Sequence, residues 1–232
     1  MILALDCSDK ACSVALGESS NVHERFTDEA RQHARQLKPM YRQLLAETDT
    51  RQTDISAIAV GAGPGSFTGL RIGFSFAQGL SFALNVPLYA VSSLQAMAQS
   101  ELGSILDSIP GCEYIEVAFD ARMGEIYCAS FTLSQGQLVR IKPDQLVTET
   151  DYAPDSGPRI AMVGSAFALP AFSVLDTGYR NAGACIRASS VLALAEKQLA
   201  SGNAGMPAVG AEPAYLRREN AWKTLDQQGK KA

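Results

Sequence analysis

Histidine is scarce in this chain. Its 232 residues hold two, His23 and His33. A helical two-histidine metal site needs the pair four residues apart on one face, and the residue four after His33 is Leu37. His23 lies in a stretch that reads as strand. No compact His/Cys/Asp cluster replaces the pair, so a dedicated metal site is not expected. A Ser-His-Asp arrangement is equally weakened, because G-x-S-x-G is also missing. The five cysteines, Cys7, Cys12, Cys112, Cys128 and Cys185, are odd in number and form no C-x-x-C. They read as free thiols of a cytoplasmic protein. No apolar run approaches the ~18 residues of a membrane span. The first ten residues, MILALDCSDK, lack a basic leader and are interrupted by Asp6, so they read as a first strand. Basic residues are not in excess: Lys and Arg total 20 against 24 Asp and Glu, a net charge of −4. Contact with nucleic acid therefore needs a local patch or a partner.

Hydrophobic residues make up 47% of the chain, enough for a substantial core. The most distinctive stretch is GAGPGSFTGLRIG, Gly61 to Gly73. It follows the apolar run Ile55 to Val60 and precedes an apolar segment reaching Leu84. Strand, glycine-rich turn and helix is the natural reading. Glycines allow close approach of backbone or ligand, and a helix start presents unpaired N–H groups that suit an anion. The stretch either binds phosphate, packs closely, or does both.

Around it the chain reads as α/β. Met1–Leu5, Cys12–Leu16 and Val22–Phe26 form an antiparallel meander. From Arg31 to about Thr48 the period turns helical, with Leu37, Met40, Tyr41, Leu44 and Leu45 on one face and Pro39 inside the run. Arg31, Arg35, Lys38 and Arg42 form a basic stripe away from that face. It is either a solvated surface or a contact for phosphates or an acidic partner. Ile55–Val60 lacks alternation, as a strand covered on both faces does. A helix to Leu84, a strand over Val86–Val91, and a helix capped by Ser92-Ser93 and ending near Gly103 complete a first lobe.

After a polar turn, Ile115–Phe119, Asp120 and Ile126–Leu133 resemble the chain's own start. Ala4-Leu5-Asp6 matches Ala118-Phe119-Asp120, each followed by a turn and a returning strand. Two related halves are expected, each opening with a strand–Asp–hairpin unit. The second is poorer in helix: a meander completed by Gln137–Lys142, a loop over Asp151–Arg159, a short strand Ile160–Val163, and a helix over Val191–Ala200 capped by Ser189-Ser190. The expected divisions are 1–103, 104–210 and a docked tail 211–232, which carries the sole tryptophan, Trp222.

The glycine stretch fits neither phosphate template. A Walker A loop needs Lys-Ser/Thr where Leu70-Arg71 stand, and Pro64 spoils G-x-G-x-x-G. The first hairpin turn has no glycine and the second only Gly124, so equipment for autonomous ATP binding is depleted. A secondary phosphate or nucleotide contact falls to Asp6, Gly63, Gly65, Ser66, Thr68, Asp120, Arg122 and Gly124. The packing reading is stronger. Gly69, Gly73 and Ala77 recur every four residues as a small-residue groove, with Leu70, Ile72, Phe74, Phe76, Leu80 and Leu84 around it. Each helical glycine costs about 1 kcal/mol against alanine, and close approach of a second helix offsets that. Phe74 and Phe76 point about 200° apart, so either one faces a partner or both are buried within the chain.

GAGPGSFTGLRIG, the DARMGEIY segment from Asp120 to Tyr127, and EPAYLRRENAW from Glu212 to Trp222 together resemble the bacterial TsaB (YeaZ) family. The resemblance implies the two-lobed actin-like ATPase fold shared with sugar kinases, with a reduced second lobe. It implies a non-catalytic scaffold or activator in making N6-threonylcarbamoyladenosine beside the tRNA anticodon. The transferase is the paralogue TsaD, and the ATPase TsaE joins them. No cofactor is expected on this chain alone; ATP or ADP and metal belong to the partner subunits. TsaD-like proteins hold metal with His-x-x-x-His, so Leu37 after His33 supports the partner role. Such proteins dimerise, with themselves when alone or with TsaD, through their first two helices. That maps the interface onto Arg31, His33, Leu37, Tyr41, Gly69, Leu70, Gly73, Phe74, Phe76, Ala77 and Leu80. Arg35, Lys38 and Arg42 become candidates for touching tRNA in the complex. The rival readings are an autonomous kinase or ATPase with Asp6 and Asp120 holding Mg²⁺, and a metallopeptidase.

Overall fold

The computed structural model describes residues 1–18, 21–29 and 32–217. The chain begins with β1 (Ile2–Asp6), β2 (Cys12–Glu18), β3 (Asn21–Thr27), α1 (His33–Glu47), β4 (Ala57–Gly63), α2 (Phe67–Leu84), β5 (Leu88–Ser92) and α3 (Ser93–Ser108). It continues with β6 (Tyr114–Arg122), β7 (Glu125–Ser134), β8 (Gln137–Thr148), β9 (Gly157–Val163), α4 (Pro170–Ser173), β10 (Thr177–Asn181) and α5 (Ala188–Ala200). Short 3₁₀ turns cover Gln52–Asp54 and Ser165–Ala168.

Among the described residues ten strands form two sheets, in the orders β3-β2-β1-β4-β5 and β8-β7-β6-β9-β10. The orders are the same under the substitution of β1 by β6. In both, the first strand pairs antiparallel with the next and parallel with the fourth. The duplication expected from two short tripeptides therefore extends through the whole topology. This is the two-lobed actin-like arrangement, and the second copy is the reduced one. It has no helix between β8 and β9, and its counterpart of the 18-residue α2 is a 3₁₀ turn followed by the four-residue α4.

Parity assigns each strand residue to a layer, because successive side chains point to opposite faces. Leu3 and Leu5 join Val14, Leu16, Ile58 and Val60 beneath α1 and α2. Ile2 and Ala4 join Ala15, Ala57 and Ala59 on the other face, beneath α5. That second layer runs without a break into Ile115, Val117, Phe119 and Phe131 of the other sheet. Burying one such side chain is worth roughly 1.5–3 kcal/mol, so this shared layer dominates the joining of the halves. Ala118, Cys128, Met162 and Phe167 form a third, smaller layer outside the second sheet.

Two expected divisions change. The boundary after residue 103 falls inside α3, which runs through Gly103 to Ser108 and packs across β6 to β10. α5, placed in the second unit by sequence, lies on β1, β2, β4 and β5 of the first. Each half thus lends its last helix to the other's sheet. Ser92 caps α3 as expected, accepting from the Gln95 N–H at 3.2 Å. Ser189 and Ser190 do not cap α5: the N-cap is Arg187, and the Ser189 N–H is taken by Glu24 of the first sheet. Pro39 leaves α1 unbroken. β8 runs to Thr148, beyond the expected Lys142, and β10 has no counterpart among the expected strands. Cys7, Cys12 and Cys128 are buried free thiols, and Cys112 and Cys185 are half-buried.

Candidate functional site

The glycine stretch lies where β1, β4 and α2 meet. Gly61, Gly65, Gly69 and Gly73 form one track, and the end of β1 lies in it. A methyl group on Gly61 would overlap the Asp6 carboxylate, on Gly65 the Ser8 carbonyl, and on Gly69 the Cys7 carbonyl. On Gly73 it would sit 3.2 Å from the Cys7 Cβ. The Ser66 N–H donates to the Ser8 carbonyl at 2.7 Å, and the Ser66 hydroxyl caps α2 by accepting from the Gly69 N–H. The space an anion would use at this helix start holds the chain's own Cys7-Ser8 backbone.

This corrects the reading of Gly69, Gly73 and Ala77 as a groove for a second helix. Gly69 and Gly73 face Cys7 at the end of the chain's own first strand, and Ala77 is buried in the core beneath α1 and α2. Four further residues assigned to the partner interface also point inward: Leu37, Tyr41, Leu70 and Phe74 are 3% exposed or less. His33 is buried too, its Nε2 within 3.0 Å of the Asp9 and Ala11 carbonyls, so it pins the first hairpin turn to α1. Phe76 packs edge-on against Tyr41, ring centroids 5.7 Å apart, and with Leu80 is half-buried. Both phenylalanines therefore pack within the chain, Phe74 completely and Phe76 in part. Arg31 lies outside the described residues.

The outward side of α2 consists of Phe67, Thr68, Arg71, Ser75, Gly79, Phe82 and Ala83. Phe82 is 70% exposed and Val209, beside it across a shallow groove, 74%. A Cβ on Gly79 would meet nothing within 4 Å. Sequence reasoning did not single out this side of α2 as the exposed one. The available signal was Gly79, whose cost in the helix has no internal offset. On α1, Arg35, Lys38 and Arg42 are all exposed, and none has a partner among the described residues.

Of the residues assigned to phosphate, Asp6 is buried and accepts from the Ser8 N–H at 3.0 Å and from the Ser8 hydroxyl. Burial pushes its carboxyl up to about 7, against the pull of the Ser8 hydrogen bonds. Asp120 accepts from the Arg122 N–H at 2.7 Å and pairs with the Arg122 guanidinium at 3.1 Å. Its own N–H donates to the Ser165 hydroxyl. Arg122, Met123 and Gly124 all have positive φ in the tight β6–β7 turn. Gly63, φ +109°, faces the Ala214 carbonyl rather than a ligand, and Thr68 is exposed on α2. The two aspartates thus have local partners. Among the described residues no three His, Cys, Asp or Glu side chains gather closely enough to hold a metal ion. Nor is any described helix long and apolar enough to cross a membrane.

The tail docks along the first sheet and beyond. Met206 pairs with Leu88 at the edge of β5, and Gln78 of α2 donates to the Ala208 carbonyl at 2.7 Å. Residues 218–232, including Trp222, lie outside the described residues.

Three comparisons bear on identity. A family model described as TsaD, tRNA N6-adenosine threonylcarbamoyltransferase, matches residues 22–176. The TsaB protein of Escherichia coli K12, described as a tRNA threonylcarbamoyladenosine biosynthesis protein, is 34% identical over 97% of both chains. Its Haemophilus influenzae counterpart is 32% identical over 97% of this chain and 96% of its own. The solved structure of YeaZ from Pseudomonas aeruginosa superposes with a TM-score of 0.83 at 34% identity, covering 93% of this chain and 99% of that one. The chain belongs to the TsaB (YeaZ) family, within the wider family that the TsaD model describes.

Proposed function

We propose that this chain takes part in tRNA N6-threonylcarbamoyladenosine synthesis as a non-catalytic subunit that binds and activates the TsaD transferase. Involvement in that synthesis is what its relatives' names state. The observation that carries the non-catalytic role is the filling of the glycine track by Cys7 and Ser8. A loop whose donors and space are consumed by its own chain is suited to packing rather than to phosphate transfer. His33, bonded to two carbonyls and followed by the buried Leu37, supports the same reading.

The partner meets the outward side of α2, with Phe82, Gly79 and Val209 at its centre and the half-buried Ile72, Phe76 and Leu80 at its border. In isolation a second copy covers this side. TsaE joins the pair, and ATP or ADP and metal are held on the partner subunits. The α1 cations Arg35, Lys38 and Arg42 touch tRNA phosphates in the assembly, where a net negative chain would otherwise repel them.

Co-expression with the TsaD paralogue, followed by a tRNA modification assay with and without this chain, tests the proposal. Stable co-purification and loss of modification without this chain are expected. Modification at an unchanged rate in its absence would overturn the activator role.

A further inference from the structure

The end of β4 in the first repeat and the end of β6 in the second are joined by one stretch of tail. The Ala214 N–H donates to the Ala62 carbonyl at 2.7 Å, and the Ala214 carbonyl lies so close to Gly63 that a Cβ there would stand 2.7 Å from it. Tyr215 lies against Phe67, ring centroids 5.6 Å apart, and its hydroxyl accepts from Arg71 Nε at 3.3 Å. Arg71 in turn stacks on Phe67, 3.8 Å from the ring centroid. Three residues after Ala214, Arg217 reaches the other half. One terminal nitrogen donates to the Ala121 carbonyl at 2.9 Å, to the Arg122 carbonyl at 3.2 Å, and to the Glu125 carboxylate. Three residues of extended chain cover at most about 11 Å, so a short peptide can hold both lobes at once.

Each element of this arrangement recognises a peptide feature. The Ala62 carbonyl takes a backbone N–H, and Gly63 leaves room for a second main chain. Phe67 and Arg71 receive an aromatic ring and its hydroxyl. The Ala121 and Arg122 carbonyls with the Glu125 carboxylate make a socket of acceptors for a guanidinium, which donates in several directions from one plane. We propose that the mouth between the lobes is a docking site for an extended peptide bearing an aromatic residue two positions before an arginine, and that residues 211–217 occupy it in cis. Tethering gives this segment a high effective concentration, so a free peptide competes only once the strap is unlocked. The inference stands apart from the activator reading, since it concerns the opposite end of α2 from Phe82.

The test uses the full chain and a fluorescent peptide of sequence AEPAYLR, residues 211–217. Anisotropy is measured against the parent, Arg217→Ala and, as a second unlocked form, Tyr215→Ala, each first checked for native circular dichroism. Saturable binding to the unlocked forms is expected, at least tenfold tighter than to the parent. Replacing the peptide's arginine by alanine, or adding Glu125→Gln to the Arg217→Ala chain, is expected to weaken binding at least tenfold. The proposal is overturned by equal binding to parent and unlocked chains, by no saturable binding to either unlocked form, or by indifference to the peptide's arginine.

Discussion

Asp6 and Asp120 occupy matching places in the two repeats, and each accepts a hydrogen bond from the backbone N–H two residues on, Ser8 at 3.0 Å and Arg122 at 2.7 Å. That hydrogen bond is the same, but the hairpins differ in length and the surroundings differ in charge. Asp120 has a guanidinium beside it and is partly solvated. Asp6 is buried, with a hydroxyl in place of a cation.

That difference makes stability depend on pH. The Asp6 carboxyl, ordinarily near 3.8, is pushed up to about 7 by burial. The folded state therefore binds more protons than the unfolded state between those values, and stability falls as pH rises through that window. Asp6→Asn keeps an acceptor for the Ser8 N–H and removes the ionisation. It is expected to abolish this component of the decline and to exceed the parent in stability at pH 8, by at most about 4 kcal/mol. Urea unfolding at pH 5 and pH 8 checks it: an equal decline in parent and variant would refute the assignment to Asp6.

Two glycines of α2 separate internal packing from open surface. Gly69→Ala drives a methyl into the Cys7 carbonyl and is expected to destabilise by about 1–3 kcal/mol. Gly79→Ala meets nothing and is expected to stabilise the isolated chain by up to about 1 kcal/mol. Thermal unfolding of the two variants should move in opposite directions.

Phe82 is exposed and tests the partner surface without disturbing the core. Phe82→Glu is expected to leave unfolding stability within about 0.5 kcal/mol of the parent, as surface changes do. Co-purification with the TsaD paralogue should be lost. Retention of the complex would move the interface elsewhere.

For the α1 stripe, Arg35→Glu with Lys38→Glu should weaken tRNA binding by the assembled complex. The dependence of log affinity on log salt should flatten by roughly one unit for each phosphate that the helix no longer neutralises. An unchanged salt slope would make the stripe a solvated face.

Much of the architecture was legible in the sequence. Ala4-Leu5-Asp6 and Ala118-Phe119-Asp120 announced the repeat, because a strand that ends in a polar turn and returns needs that order of residue types. The unbroken apolar run before Gly61 announced a strand covered on both sides. β10, with the sequence TGYRN, carries no such run; its pairing with β9 holds it. The facing of Gly69 and Gly73 was hidden because a stripe of small residues looks alike whether a foreign helix or the chain's own strand fills it. Gly61 and Gly65 extend the four-residue spacing upstream of α2 into β4 and the turn. A stripe that begins before the helix indicates a neighbour lying along strand and helix together, here the end of β1. The crossing of α3 and α5 left no local trace, since each helix has an ordinary amphipathic pattern and only the register of the halves decides which sheet it covers.

That crossing has a consequence for synthesis on the ribosome. The alanine-rich inner face of the first sheet, with Ala4, Ala15, Ala57 and Ala59, is made early but covered by α5, which ends at Ala200. At about 5–20 residues per second, some hundred residues separate completion of α3 from that of α5, a wait of roughly 5–20 seconds. During this interval the nascent first half carries an apolar sheet face that α3 covers only in part, a ready target for chaperones, and it reaches its final packing only when the chain is nearly finished.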